Sequence, residues 1–171
     1  MTVTWIPSPN YGYPQGTHGR NGLLPDAIVL HIAEGSLAGC DAWFQTQGSE
    51  ASAHYCIGKA GAIHQYVSIF DAAWANGQVR RPSWSLLREG VNPNLHTISI
   101  EHEGYSGEEW TQAMFDADAW LISRLCHVCG IPVDEEHIIG HSRIDSVYRA
   151  RCPGDGLPWE RLLEAVRCVS E

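Results

Sequence analysis

Between residues 27 and 166 the chain switches repeatedly between two hydrophobic periods, and that switching narrows the folds open to it. Residues 27–32 form a short apolar run behind Pro25 and Asp26, which predicts a buried strand. Ser36 to Gln47 carries Leu37, Cys40, Trp43 and Phe44 at helical spacing, with Gly48 as a left-handed stop. Residues 53–57 and 62–67 flank Gly58-Lys59-Ala60-Gly61 and read as a hairpin. A short helix is expected near 83–89. Residues 97–102 return to strand, with Ile98 and Ile100 on one face and Ser99 and Glu101 on the other. Ser106-Gly107-Glu108-Glu109 has the form of a capping box. Beyond it Trp110, Met114, Ala117, Leu121, Leu125 and Val128 continue a helical stripe to Gly130. Residues 138–140 read as another short strand, and Pro158 suits the first turn of a last helix through Leu162, Leu163 and Val166. This order predicts an α/β fold, a single domain with a central mixed β-sheet flanked by helices. The core is expected over about 27–166, with residues 1–26, rich in Pro, Gly, Tyr and Asn, as a lead-in.

Charge and composition exclude several classes of function. Lys plus Arg number 11 against 20 Asp plus Glu, a formal charge of −9, so nucleic-acid binding is not expected. No apolar run approaches the ~18 residues of a membrane span. The amino terminus lacks a basic residue followed by an apolar stretch, so no secretory signal is read and synthesis in the cytoplasm is expected. A monomer is expected. The six cysteines are taken as reduced thiols. Cys126 and Cys129 form a C-x-x-C pair, but a zinc ribbon needs a second pair and haem attachment needs a following His. Packing within a helix is the preferred reading, ahead of redox or metal chemistry.

Position sorts the nine histidines. His31 lies inside an apolar strand, where it is either a core histidine bonded to a carbonyl or a metal ligand. His141 follows Ile138-Ile139-Gly140 and emerges where a buried strand ends, and Cys152-Pro153-Gly154 comes eleven residues later. Two imidazoles and a thiolate suit zinc with an open fourth position for water, although spacing alone is weak support. Glu101 sits in an apolar strand. It marks either the solvent face of an edge strand or a carboxylate that takes a proton from water and hands it to a leaving nitrogen.

Six segments in order carry a resemblance: Val29-Leu30-His31; Ser52-Ala53-His54-Tyr55-Cys56-Ile57-Gly58-Lys59-Ala60-Gly61; Ala73-Trp74-Ala75; Ser99-Ile100-Glu101-His102-Glu103-Gly104; Gly140-His141-Ser142; and Cys152-Pro153-Gly154. Together they resemble the zinc-dependent N-acetylmuramoyl-L-alanine amidases of the type-2 amidase and peptidoglycan-recognition-protein superfamily. The resemblance implies a mixed sheet flanked by helices with Zn2+ in a groove. It implies hydrolysis of the amide between N-acetylmuramic acid and L-alanine in peptidoglycan. His31, His141 and Cys152 match the zinc ligands, and Glu101 matches the catalytic glutamate of the lysin and recycling branches. The peptidoglycan-recognition branch uses a tyrosine where this chain has Ala53.

Two departures stand out. The family often places Lys two residues before the last ligand, whereas this chain has Ala150 flanked by Arg149 and Arg151. One of these arginines is expected to stabilise the oxyanion. Ala75 follows Trp74 where many relatives have His, and Asn76 or Gln78 is expected to fill that polar niche. Trp74 and Asn76 are therefore candidates for binding substrate, with core packing as the other reading of Trp74. His54, Tyr55 and His102 are read as structural. The cysteine ligand points to a phage or prophage endolysin, acting on the wall after release by a separate factor such as a holin. The alternatives are a cytoplasmic recycling amidase, a non-catalytic peptidoglycan-binding module, and a cysteine hydrolase with Cys152 as nucleophile.

Overall fold

The computed structural model describes residues 1–169. The elements run β1 (Val3–Trp5), β2 (Ala27–Ile32), α1 (Leu37–Gln45), β3 (Tyr55–Ile57), β4 (Ile63–Gln65), β5 (Thr97–His102), α2 (Gln112–Cys129), β6 (Ile138–Gly140) and α3 (Trp159–Val169). Single 3-10 turns occupy Pro93–Leu95 and His141–Arg143. The six strands form one sheet in the order β1-β4-β3-β5-β2-β6. Among the described residues, β3–β4 is the one antiparallel pairing of these strands, so the sheet is mixed as expected.

The alternation of side chains along β2 and β5 divides the sheet into two faces. Ile28, Leu30, Ile98 and Ile100 face α2 and α3, where they pack with Met114, Leu121, Ile122, Leu162 and Val166. Ala27 and Val29 point the other way, towards Ile139, Ile144 and Trp84. On that second face α1 packs Cys40 and Phe44 over Ala53, Cys56 and Tyr66. β2 and β5 are buried on both faces, which explains their near-continuous apolar runs. No helix among the described residues is long and apolar enough to cross a membrane.

Several local expectations needed correction. The lead-in contains β1, which pairs in parallel with β4 and extends the sheet. Residues 83–89 form turns rather than a helix. The capping box at 106–109 does not start α2. Glu108 instead accepts the Tyr105 N–H and pairs with Lys59, and Thr111 caps the helix by accepting the Met114 N–H at 3.1 Å. Trp110 therefore lies outside the helix, its ring 4.0 Å from that of His102, and Val128 is exposed. α1 ends at Gln45, with Thr46 as its cap, rather than at Gly48, and Trp43 falls off its buried stripe. At the end of α2, Gly130 adopts φ 68°, which a residue without a Cβ tolerates best.

Candidate active site and metal centre

Three adjacent parallel strands, β5, β2 and β6, bring their carboxyl ends together on the α1 face of the sheet. Each delivers one polar side chain there. His31 and Glu101 are direct cross-strand partners on β2 and β5, so their side chains leave the same face. His31 Nδ1 lies 3.9 Å from Glu101 Oε1. Gly140 ends β6, and His141 opens the 3-10 turn that follows. The two imidazole centroids are 4.5 Å apart. Cys152 returns to this point from the loop before α3, its sulfur accepting the Ile32 N–H at 3.4 Å. A cleft of about 710 Å³ opens above these groups, walled by α1 on one side and by residues 147–152 on the other.

The ligand-type atoms of His31, His141 and Cys152 all lie within 4.8 Å of one another, so these three residues form a group able to hold a metal ion. His141 Nε2 lies 2.8 Å from the Asn76 carbonyl; donation there leaves Nδ1 with a free lone pair. Among the described residues, His31 Nε2 and Glu101 Oε2 are buried with no hydrogen-bond partner, as expected of atoms that need another species beside them. Two imidazoles and a thiol are the donor types that suit zinc.

Electrostatics match these assignments. Burial lowers the pKa of both His31 and His141, so each is a neutral donor near pH 7. Burial pushes the Cys152 thiol up to about 12, with Glu101 adding to the effect. A coordinated divalent cation reverses that shift, because it deprotonates a bound thiol. Burial also pushes Glu101 up to about 7, against the opposing charges of His102 and Arg149. A carboxyl poised near neutrality can both accept and return a proton.

The remaining candidates separate clearly. Glu101 is not on an edge, since β5 lies between β3 and β2. Arg149 and Arg151 both line the cleft, but Arg151 Nη2 and Nε bond Asp155 at 2.6 and 3.1 Å. Arg149 acts electrostatically on His31, Glu101, His141 and Cys152. Trp74 lines the cleft, while its Nε1 donates to the Gly12 carbonyl at 3.0 Å. Asn76 is a correction. It is fully buried, its side chain donating to Thr97 Oγ1 rather than facing the cleft, and its carbonyl meets His141. Gln78 bonds Arg80 instead of filling the niche beside Ala75.

His102 is structural, as expected. It sits on the opposite face, its Nδ1 2.8 Å from the His31 carbonyl and its Nε2 3.1 Å from buried Asp118, an approach too poorly aligned to count as a hydrogen bond. Cys126 is buried in the α2 core and Cys129 is half-buried, consistent with packing.

Sequence reasoning missed Glu34, which holds φ 50° at the end of β2 and lines the cleft. It also missed Tyr148 on the far wall. Neither lies in a periodic run that would single it out.

The chain is similar in sequence and in fold to known proteins. The family described as N-acetylmuramoyl-L-alanine amidase matches residues 21–155. N-acetylmuramoyl-L-alanine amidase A of Achromobacter lyticus is 28% identical over 174 residues, covering 91% of this chain and 88% of that protein. The crystal structure of an AmpD derivative superposes with a TM-score of 0.77 at 24% identity, covering 96% of this chain and 94% of that one. AmiD from E. coli, solved with the substrate anhydro-N-acetylmuramic acid-L-Ala-D-γ-Glu-L-Lys, gives 0.71 at 20% identity, covering 88% of this chain and 59% of AmiD. With the family match spanning most of its length, the chain belongs to the N-acetylmuramoyl-L-alanine amidase family.

Proposed function

We propose that this protein hydrolyses the amide between the lactyl group of N-acetylmuramic acid and L-alanine in peptidoglycan, with zinc held by His31, His141 and Cys152. The convergence of these three donors beside Glu101 at the ends of β2, β5 and β6 is the observation that carries the reading. When bound, zinc supplies Lewis-acid polarisation of the scissile carbonyl and lowers the pKa of water. Glu101 takes the proton from the attacking water and passes it to the departing alanine nitrogen, a role suited to a carboxyl near pKa 7. Arg149 faces the negative charge that develops on the carbonyl oxygen. The Asn76 carbonyl holds the His141 ring in one tautomer.

The test is metal analysis alongside hydrolysis by Glu101→Ala, scored by free alanine amino groups released from purified peptidoglycan. We expect about one zinc per chain in both forms and a rate lower by about 10²–10⁴ in the variant. Full activity in Glu101→Ala removes the general base, and a metal-free active enzyme removes the zinc. Activity that survives chelation points to Cys152 as nucleophile instead.

Within this activity we favour an endolysin acting on intact wall over an enzyme that trims soluble anhydro-muropeptides, because the third donor is a cysteine. Parallel assays on sacculi and on soluble anhydro-muropeptide decide between them. A clear preference for the soluble substrate overturns the endolysin role.

A further inference from the structure

The aromatic side chains of the cleft are not equivalent. Trp74 is anchored at its base by the Gly12 carbonyl. Trp43 and Tyr148 lie on its two walls and are 55% and 69% exposed, too open to be core residues. Trp43 stands on α1, which packs against β3. Tyr148 belongs to the segment that follows β6, three strands away across the sheet. The catalytic groups lie between them, at the ends of β5 and β2.

Tyr148 is held in place despite its exposure. Asp145 Oδ1 accepts the N–H groups of Val147 and Tyr148, both at 3.0 Å, which orders the turn. Arg80 bonds Asp145 at 3.2 Å and lays its guanidinium 4.4 Å from the centre of the Tyr148 ring. Backbone bonds from Arg80 to Ile144 and from Ser146 to Arg80 join the two loops. One face of the ring is thus supported, and the side chain gives up little freedom when its other face is covered.

The proposed reaction says what lies over these walls. The scissile amide hangs from a sugar that is one unit of a β-1,4-linked strand, and the strand continues from that sugar in both directions. With the amide at the bottom of the cleft, flanking sugars pass over both rims. Pyranose rings offer apolar C–H faces, and these stack on the apolar faces of aromatic rings.

We propose that Trp43 and Tyr148 are stacking platforms for a glycan strand that crosses the cleft, so that this chain binds polymeric N-acetylhexosamine in preference to short muropeptides. The proposal rests on the amidase reading for the position of the scissile bond, but its binding test needs no turnover, so the two fail separately.

The experiment measures binding of the whole chain to β-1,4-linked N-acetylglucosamine hexamer and dimer by calorimetry, and KM on intact sacculi. The hexamer is expected to bind more tightly than the dimer. Trp43→Ala and Tyr148→Ala are each expected to weaken hexamer binding roughly threefold to tenfold and to raise the KM on sacculi by a similar factor. Tyr148→Phe keeps the ring and is expected to bind as the parent does. The proposal is overturned if the hexamer binds no better than the dimer, or if both alanine variants bind it unchanged. It is also overturned if Tyr148→Phe loses as much as Tyr148→Ala, since a hydroxyl contact would then be responsible rather than stacking.

Discussion

Arg20 starts in a loop of the lead-in and ends almost wholly inside the molecule, 3% exposed. Its guanidinium donates to the carbonyls of Ile69, Asn94 and Thr97 at 2.9–3.1 Å, and Nη2 lies 2.7 Å from His54 Nε2. Burial lowers its pKa to about 10, which leaves it charged at neutral pH. Arg20→Ala orphans three carbonyls and is expected to cost about 2–4 kcal/mol of stability, read from urea unfolding. Arg20→Lys should recover little, because an ammonium cannot reach three divergent acceptors as the planar fork does. A loss below about 0.5 kcal/mol in Arg20→Ala would remove this residue as an anchor. Nothing in the neighbouring sequence marks Arg20, since its partners come from residues 54 to 97. His31 and Glu101 differ in this respect: each is a polar side chain in an otherwise apolar strand, and that mismatch is visible without coordinates.

At the scale of elements, local chemistry decides where α2 begins. Ser106 opens a capping-box pattern with Glu109, whereas Thr111 has Met114 three residues on and no such pattern. The charged groups of the 106–109 turn are engaged elsewhere, with Lys59 and the Tyr105 N–H. Thr111 is left as the cap, and its hydroxyl also donates to the Lys59 carbonyl. Thr111→Ala is therefore expected to cost about 1 kcal/mol and Ser106→Ala much less, as measured by thermal unfolding. Equal losses would return the start of the helix to the earlier box. The same scale explains Trp43. Leu37, Cys40 and Phe44 form the inward stripe of α1, and a tryptophan beside Phe44 cannot share it, so the ring turns outward to the cleft.

At the scale of the whole molecule, the candidate metal site brings together parts of the chain far apart in sequence. Ile32 and Cys152 meet across 120 residues. A zinc ion bound there stabilises only the folded chain, by RT ln(1 + [Zn]/Kd), about 4 kcal/mol when zinc exceeds Kd a thousandfold. Dialysis against a chelator is accordingly expected to lower the melting temperature by several degrees, with zinc restoring it. Cys152→Ala should show little further response to the chelator, because one donor is already missing. A melting temperature indifferent to chelation in the parent would mean that the three donors hold no structural ion.

The sequence alone determined the elements from β2 onward, save the helix expected at 83–89, and the apolar faces of β2, β5 and α2, while the resemblance to a known family pointed to His31, Glu101, His141 and Cys152. The elements follow from periodicity, and His31 and Glu101 stand out as polar groups set in apolar runs, both of which are local signals; nothing around Cys152 marks it in this way. Tertiary structure decided the rest: that β1 joins the sheet, that the Asn76 carbonyl meets His141, that Arg151 pairs with Asp155 while Arg149 acts electrostatically on the site, and that Trp43 and Tyr148 line the cleft from α1 and from the segment after β6. Each of these depends on which distant segment arrives alongside, and pairing between strands or loops many residues apart leaves no mark on the residues around either partner.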